Sequence, residues 1–178
     1  MHEISGQEIF SAVTTSTREV FGTMLGHDIQ VGEAREEPAE TSTFDGVVAL
    51  VGVAGLWTGS GRISCSSRLA CSLAGIMLMS SYDAVNEEVL DAVAEVANMI
   101  VGNVKTFFED RLSAPLGLSI PTVVFGRNYQ TRFAGVPAWT VVPFKFQGEP
   151  LEVRFCLIPT PQHTTHTVRR PAPGGVMV

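Results

Sequence analysis

The chain has 178 residues, enough for one domain with a sizeable core. Hydrophobic residues make up 45% and charged residues 17%, a globular composition rather than a disordered one. A formal net charge of -6 speaks against binding to nucleic acid or an anionic membrane, since both need a basic face.

No run of about 18 apolar residues occurs, so no bilayer-spanning helix is expected. The opening MHEISGQEIF has neither the basic start nor the apolar core of a signal peptide. Cys65, Cys71 and Cys156 are widely spaced among apolar neighbours, as expected of reduced, buried thiols in a cytoplasmic protein. Neither CxxC nor HExxH occurs, and His163 and His166 fall in the final stretch, so no metal site is expected on the chain.

Residues 5–24 read as a helix. Ser5 can cap it, Glu8 completes a capping box, and Ile9, Phe10, Val13, Val20 and Phe21 recur at roughly helical spacing. Gly26 is its expected stop. Residues 27–31 alternate and suit a short strand, while the acidic, polar 33–43 suits a surface loop. Two β runs follow, 47–53 and 59–64, joined by a hairpin turn, Ala54-Gly55-Leu56-Trp57-Thr58. Ser66 introduces a second helix, 68–79, apolar on almost every side and therefore expected to be deeply packed. The strongest helical pattern comes next. Asn86 can cap it, Glu87 and Glu88 suit its dipole, and it runs to about Leu112, roughly 25 residues and ~38 Å, before Pro115 and Gly117 end it.

The last third is β-rich. A strand at 118–125 is interrupted by Pro121, a mostly polar stretch covers 126–137, and 139–146 and 151–158 flank a hairpin at Gln147-Gly148-Glu149-Pro150. From 159 onward the sequence has no apolar period and much Pro, Gly and Thr. Residues 1–158 are therefore expected to form a single domain and 159–178 a disordered tail. Long helices on a mainly antiparallel sheet define an α/β domain of the α+β two-layer kind.

On the long helix, Val89, Val93, Val96, Ile100, Val104 and Phe107 share a stripe that Leu90, Ala97, Val101 and Phe108 widen. That face must meet the sheet. The opposite side carries Asp91, Glu95, Asn98, Gly102, Lys105 and Glu109, in steps of four, three, four, three and four, on one line. Taken alone, a polar line opposite an apolar one is what any surface helix shows. Two members do not help stability. Asn98 has a short amide that competes for backbone bonds. Gly102 costs about 1 kcal/mol relative to Ala. It either allows close packing within the fold or leaves room for another backbone. An acid and an amide three residues apart on a shallow ridge suit entry into a partner's cleft. An amide can orient a water molecule without acting as a base, and phosphoryl transfer needs mainly positioning and charge neutralisation. The sequence has no phosphate cradle, Walker-type loop or Mg²⁺ cluster, so a metal would have to come from the partner.

The segment D-AVA-E-VA-N, with 22 residues between Asn98 and Pro121, resembles the motif of the CheX, CheC and FliY chemotaxis phosphatases. That motif is Asp or Ser, three residues, Glu, two residues, Asn, then about 22 residues to Pro. Beyond it, TMLGHDIQVGE, GVVALVGVAGLWTGSGRIS, DAVAEVANMIVGNVKT, SIPTVVFG and GVPAWTVVPFKF are similar to CheX sequences, so the resemblance spans about residues 5–158. It implies a protein that removes the phosphoryl group from phosphorylated CheY-like receivers. Asn98 would align the attacking water, and Glu95 would pair with the receiver's active-site lysine. Asp91 would fill the motif's first position, with Gly102 and Lys105 further along the docking line and Pro121 shaping the strand beside the helix. The chain itself would need no cofactor, Mg²⁺ would belong to the receiver, and the chain would be a homodimer. The motif occurs once here, as in CheX, whereas CheC and FliY carry two copies.

Two other readings stand beside this one. The same fold serves flagellar switch proteins, so the chain could be a non-catalytic binding module of a chemotaxis or switch assembly. A hydrolase of another class would need a nucleophile and a base. Ser64, Ser66 and Ser67 have no His or acid placed to activate them and better suit capping the second helix, and Cys71 suits core packing.

Overall fold

The computed structural model describes residues 4–38, 42–131 and 138–161. In chain order the elements are α1 (Gly6–Met24), β1 (Gln30–Val31), β2 (Arg35–Pro38), β3 (Ser42–Gly55), β4 (Trp57–Cys65), α2 (Ser67–Leu78), α3 (Glu87–Leu112), β5 (Leu116–Leu118), β6 (Thr122–Thr131), β7 (Ala138–Phe146) and β8 (Glu149–Pro159). All strand pairs are antiparallel. The sheet runs β1-β7-β8-β4-β3-β5, with β2 sharing β7's outer edge and β6 sharing the edge of β3 with β5. Helix α3 packs on β3 and against both α1 and α2, which gives the expected two-layer α+β fold.

The helix ends follow from their capping residues. Ser5 Oγ accepts the Glu8 N–H at 3.2 Å while Glu8 Oε2 accepts the Ser5 N–H at 2.9 Å, a complete capping box. Gly26, at φ 66, lets the His27 N–H reach back to the Phe21 carbonyl. Ser66 Oγ accepts the Leu69 N–H at 3.1 Å and caps α2 as expected.

Strand alternation divides the sheet into two faces. Val47, Ala49, Val51 and Val53 of β3, Ile63 of β4, Phe144 and Phe146 of β7, and Leu151, Val153 and Phe155 of β8 form one core with Phe21, Leu69, Val93, Ile100 and Phe108 of the helices. Fully burying such a side chain contributes about 1.5–3 kcal/mol. The other face is polar in places. Arg154 pairs with Glu37 and Glu152, each at 2.7 Å, and Arg35 pairs with Glu37 and Glu152 at 2.6 and 2.8 Å. The Arg62 guanidinium carbon sits 3.4 Å from the Phe44 ring centroid, and burial, with Arg154 nearby, pulls its pKa down to about 10.

Several expectations need correction. The segment 33–43 is not all loop. It contains β2, whose charged side chains are used in the ion pairs just described, and the start of β3. The hairpin turn after β3 is tighter than expected, with Leu56 alone between the two strands. Helix α2 buries one face, through Leu69, Ala70, Leu73 and Ala74, and leaves Leu78 and Met79 exposed. Cys65 and Cys156 are buried, which raises their pKa values to about 12 and about 11, but Cys71 is only half-buried. Phe107 is exposed, because Phe108 takes the place facing the sheet. Strand β6 extends through Thr131, into the stretch read as polar connection; residues 132–137 lie outside the described residues. The fold continues past Ile158. Pro159 pairs with Trp57, and Thr160 donates to the Leu56 and Gly55 carbonyls. The expected tail beyond 161 lies outside the described residues.

Candidate functional site

Asn86 sits extended before α3 and its Oδ1 accepts the Val89 N–H at 3.0 Å, with Glu87 and Glu88 in the first turn. This start fixes the rotation of the helix. Val89, Val93, Val96, Ala97, Ile100, Val101, Val104 and Phe108 are buried. Asp91 and Glu95 are exposed, while Asn98, Gly102 and Lys105 are half-buried on the same line. Among the described residues no hydrogen bond or ion pair holds the side chains of Asp91, Glu95 or Asn98. The amide and the two carboxylates are therefore uncommitted.

The C-terminal half of the line is committed. Lys105 Nζ lies 2.6 Å from Glu109 Oε2, and Glu109 Oε1 accepts the Leu116 N–H at 2.7 Å. Glu109 thus ties the helix to the first residue of β5. The Leu116 N–H first, and Lys105 second, hold its carboxyl below the ordinary carboxylate range. One turn back, a Cβ on Gly102 would meet only Leu118 Cδ1, at 3.8 Å. Gly102 is therefore not a close-packing glycine; it leaves room on the line. The pairing of Glu109 escaped the sequence reading, although the spacing of four between Lys105 and Glu109 was a visible signal.

Pro121 lies between β5 and β6, at the sheet edge. Leu118 pairs with Val53 and Thr122 with Leu50, so Ser119, Ile120 and Pro121 oppose only Gly52 and Val51. That extra residue is a β-bulge, a position where proline's missing N–H is tolerated. Ser119 secures it: its N–H donates to the Gly52 carbonyl and its Oγ accepts the Gly52 N–H, both at 2.9 Å. The bulge in β5 and β6 was not legible beyond the interruption at Pro121.

The arrangement is a ridge rather than a pocket. A cavity of about 550 Å³ beside α2, lined by Arg68, Cys71, Ser72 and Asp83 among others, shares no residue with the line. Among the described residues no group of three His, Cys, Asp or Glu side chains could hold a metal ion, and no helix is long and apolar enough to cross a membrane.

Three helices packed on an antiparallel sheet are the CheX-like α+β fold. The family model for the chemotaxis phosphatase CheX matches residues 47–145, and the chain belongs to that family. The chemotaxis protein CheX from Vibrio vulnificus is 25% identical with a TM-score of 0.74, the alignment covering 84% of this chain and 99% of that one. CheX from Desulfovibrio desulfuricans is 26% identical with a TM-score of 0.74 and the same coverages, 84% and 99%. The CheX-CheY-BeF3-Mg²⁺ complex from Borrelia burgdorferi is similar at 23% identity and a TM-score of 0.71, covering 88% of this chain and 99% of that one. Among curated protein sequences none matches the chain.

Proposed function

We propose that this protein hydrolyses the aspartyl phosphate of a CheY-like response-regulator receiver, with Asn98 and Glu95 as the residues that act. The observation that carries the reading is the uncommitted acid and amide on the exposed line of α3, in a chain of the chemotaxis phosphatase family. In this reading the Mg²⁺ belongs to the receiver, and the Borrelia CheX was solved with CheY, BeF3 and Mg²⁺.

In this mechanism the ridge enters the receiver's phosphorylation cleft. The Asn98 amide accepts a hydrogen bond from a water and donates one to a phosphoryl oxygen, so the water is held in line with the scissile bond. Water oxygen bonds to phosphorus as the bond from phosphorus to the aspartate oxygen breaks, leaving inorganic phosphate and a free carboxylate. Glu95 pairs with the receiver lysine and holds the register through a charge-assisted bond. Asp91, at the head of the line, supports docking, and Gly102 lets the partner's backbone approach. Lys105 adds a cation whose charge is shared with Glu109. The working form is a cytoplasmic homodimer, which light scattering on the eluted protein would show as twice the mass of one chain.

The test is the decay of a phosphorylated CheY with Mg²⁺, alone, with this protein, and with its Asn98→Ala and Glu95→Ala variants. The wild type accelerates decay. Asn98→Ala abolishes acceleration while keeping its melting temperature, and Glu95→Ala raises the receiver concentration needed. Full activity in Asn98→Ala would refute the mechanism. Binding of a receiver without faster decay would favour the non-catalytic binding module instead.

A further inference from the structure

We infer that the bulged edge strand gives the ridge a second, apolar wall, and that Ile120 is the side chain by which this wall grips the receiver beside its phosphorylation cleft. The inference rests on the function proposed above and adds a specificity-determining contact to the Asp, Glu, Asn and Pro positions of the motif.

The geometry follows from two contacts between α3 and β5. Glu109 meets the backbone of Leu116, and Gly102 faces Leu118. The edge strand therefore runs antiparallel to the helix, back toward its N-terminus. Two further residues of extended chain advance about 6.6 Å, the rise of about four helical residues. Two residues past Leu118, Ile120 therefore lies on the Asn98 side of Gly102, and Phe125 lies further along the same sheet edge. Val123 between them packs into the core, so the strand stays against the helix layer as far as that residue.

Ile120 is 87% exposed and Phe125 is 49% exposed. Single exposed apolar residues are common, but these two share one edge with the ridge. Their exposure has a structural cause. Ile120 lies in the three-residue interruption between β5 and β6, at the open edge of the sheet rather than in the paired register of either strand. The position is also rigid. Pro121 confines Ile120 to extended backbone, and Ser119 is bonded twice to Gly52. A branched side chain on a fixed backbone loses little entropy when it is covered, which is what an anchor in an interface requires. The occupant is the receiver, because the side chain flanks the residues that must enter the receiver's cleft.

The experiment is steady-state dephosphorylation of the CheY receiver by the full chain, with binding to the same receiver carrying beryllofluoride and Mg²⁺ measured in parallel. Ile120→Asp raises the half-saturating receiver concentration and weakens binding, each about tenfold, and leaves kcat within about twofold. Ile120→Val keeps both near wild type, and Met79→Asp, at a 93% exposed position beyond α2, changes neither. The melting temperature of Ile120→Asp stays unchanged. An unaltered half-saturation and affinity for Ile120→Asp, with the wild type active, overturns this inference and leaves the role of Asn98 standing. A wild type that neither binds nor dephosphorylates the receiver overturns both.

Discussion

Two glycines facing opposite ways show what single positions contribute. Gly61 of β4 lies under α3, and a Cβ there would clash with Val101 Cγ2. Val101 is itself fully buried, so it has no room to retreat. Gly61→Ala should cost about 1–3 kcal/mol by overpacking and lower the melting temperature by about 2–4 °C per kcal/mol, with Val101→Ala in the same chain restoring part of the loss. Gly102 is the reverse case, since its Cβ would make only an ordinary contact with Leu118. Gly102→Ala should raise stability by up to about 1 kcal/mol in a denaturant melt, the gain expected for replacing glycine inside a helix. If the room at Gly102 serves the receiver, the same variant raises the half-saturating receiver concentration. Stability gained as activity falls separates a functional glycine from a tolerated one. The sequence raised this question at Gly102 without answering it, because two alternatives with equal propensity cost differ only in what stands opposite the missing side chain.

At the level of elements, the junction of α1, α3 and β5 is held by two carboxylates. Glu8 closes the α1 capping box and reaches Arg111 of α3 at 3.1 Å; Glu109 joins Lys105 to the first amide of β5. Both carboxyls are held below the ordinary value of 4.5, Glu8 chiefly by the Ser5 N–H and Glu109 chiefly by the Leu116 N–H. A carboxyl whose folded pKa is lowered contributes stability that is complete above the unfolded value. That stability is lost as pH falls through the lowered folded value. Urea midpoints measured from about pH 6 down to about pH 3 should therefore fall most steeply below pH 4.5. Glu109→Gln keeps an acceptor for Leu116 but removes the titration and the pair with Lys105, so its profile should be shallower there. An equally steep profile would show that Glu109 contributes nothing to the acid limb. The capping box was legible because it is a local pattern; the bond from Glu109 to Leu116 crosses a helix end and was not. Strand β2 was missed for a related reason. Arg35, Glu36 and Glu37 look like a loop when counted by polarity, yet an outer strand needs only a free edge on β7 and partners for its charges, which Glu152 and Arg154 supply.

For the whole molecule, the fold class and the long helix were readable because helical period and caps coincide over α3. What no single segment encodes is the order of strands, in which β8 brings residues near the end of the chain into the middle of the sheet between β4 and β7. This placement moves the end of the domain. Pairing of β8 with β4 continues to Pro159 opposite Trp57, and Thr160 closes over the β3–β4 turn through its N–H to the Leu56 carbonyl at 2.9 Å and its hydroxyl to the Gly55 carbonyl at 2.7 Å. A boundary drawn at 158 by composition cuts through these bonds. A chain ending at Pro161 should keep the melting temperature and receiver turnover of the full chain. One ending at Ile158 should melt lower, since each lost hydrogen bond is worth about 1 kcal/mol and the turn it pins adjoins β5 at Gly55 and Leu116. Because β5 leads into the bulge at Pro121, the shorter truncation should also raise the half-saturating receiver concentration, whereas equal melting temperatures for the two truncations would show that Thr160 closes nothing.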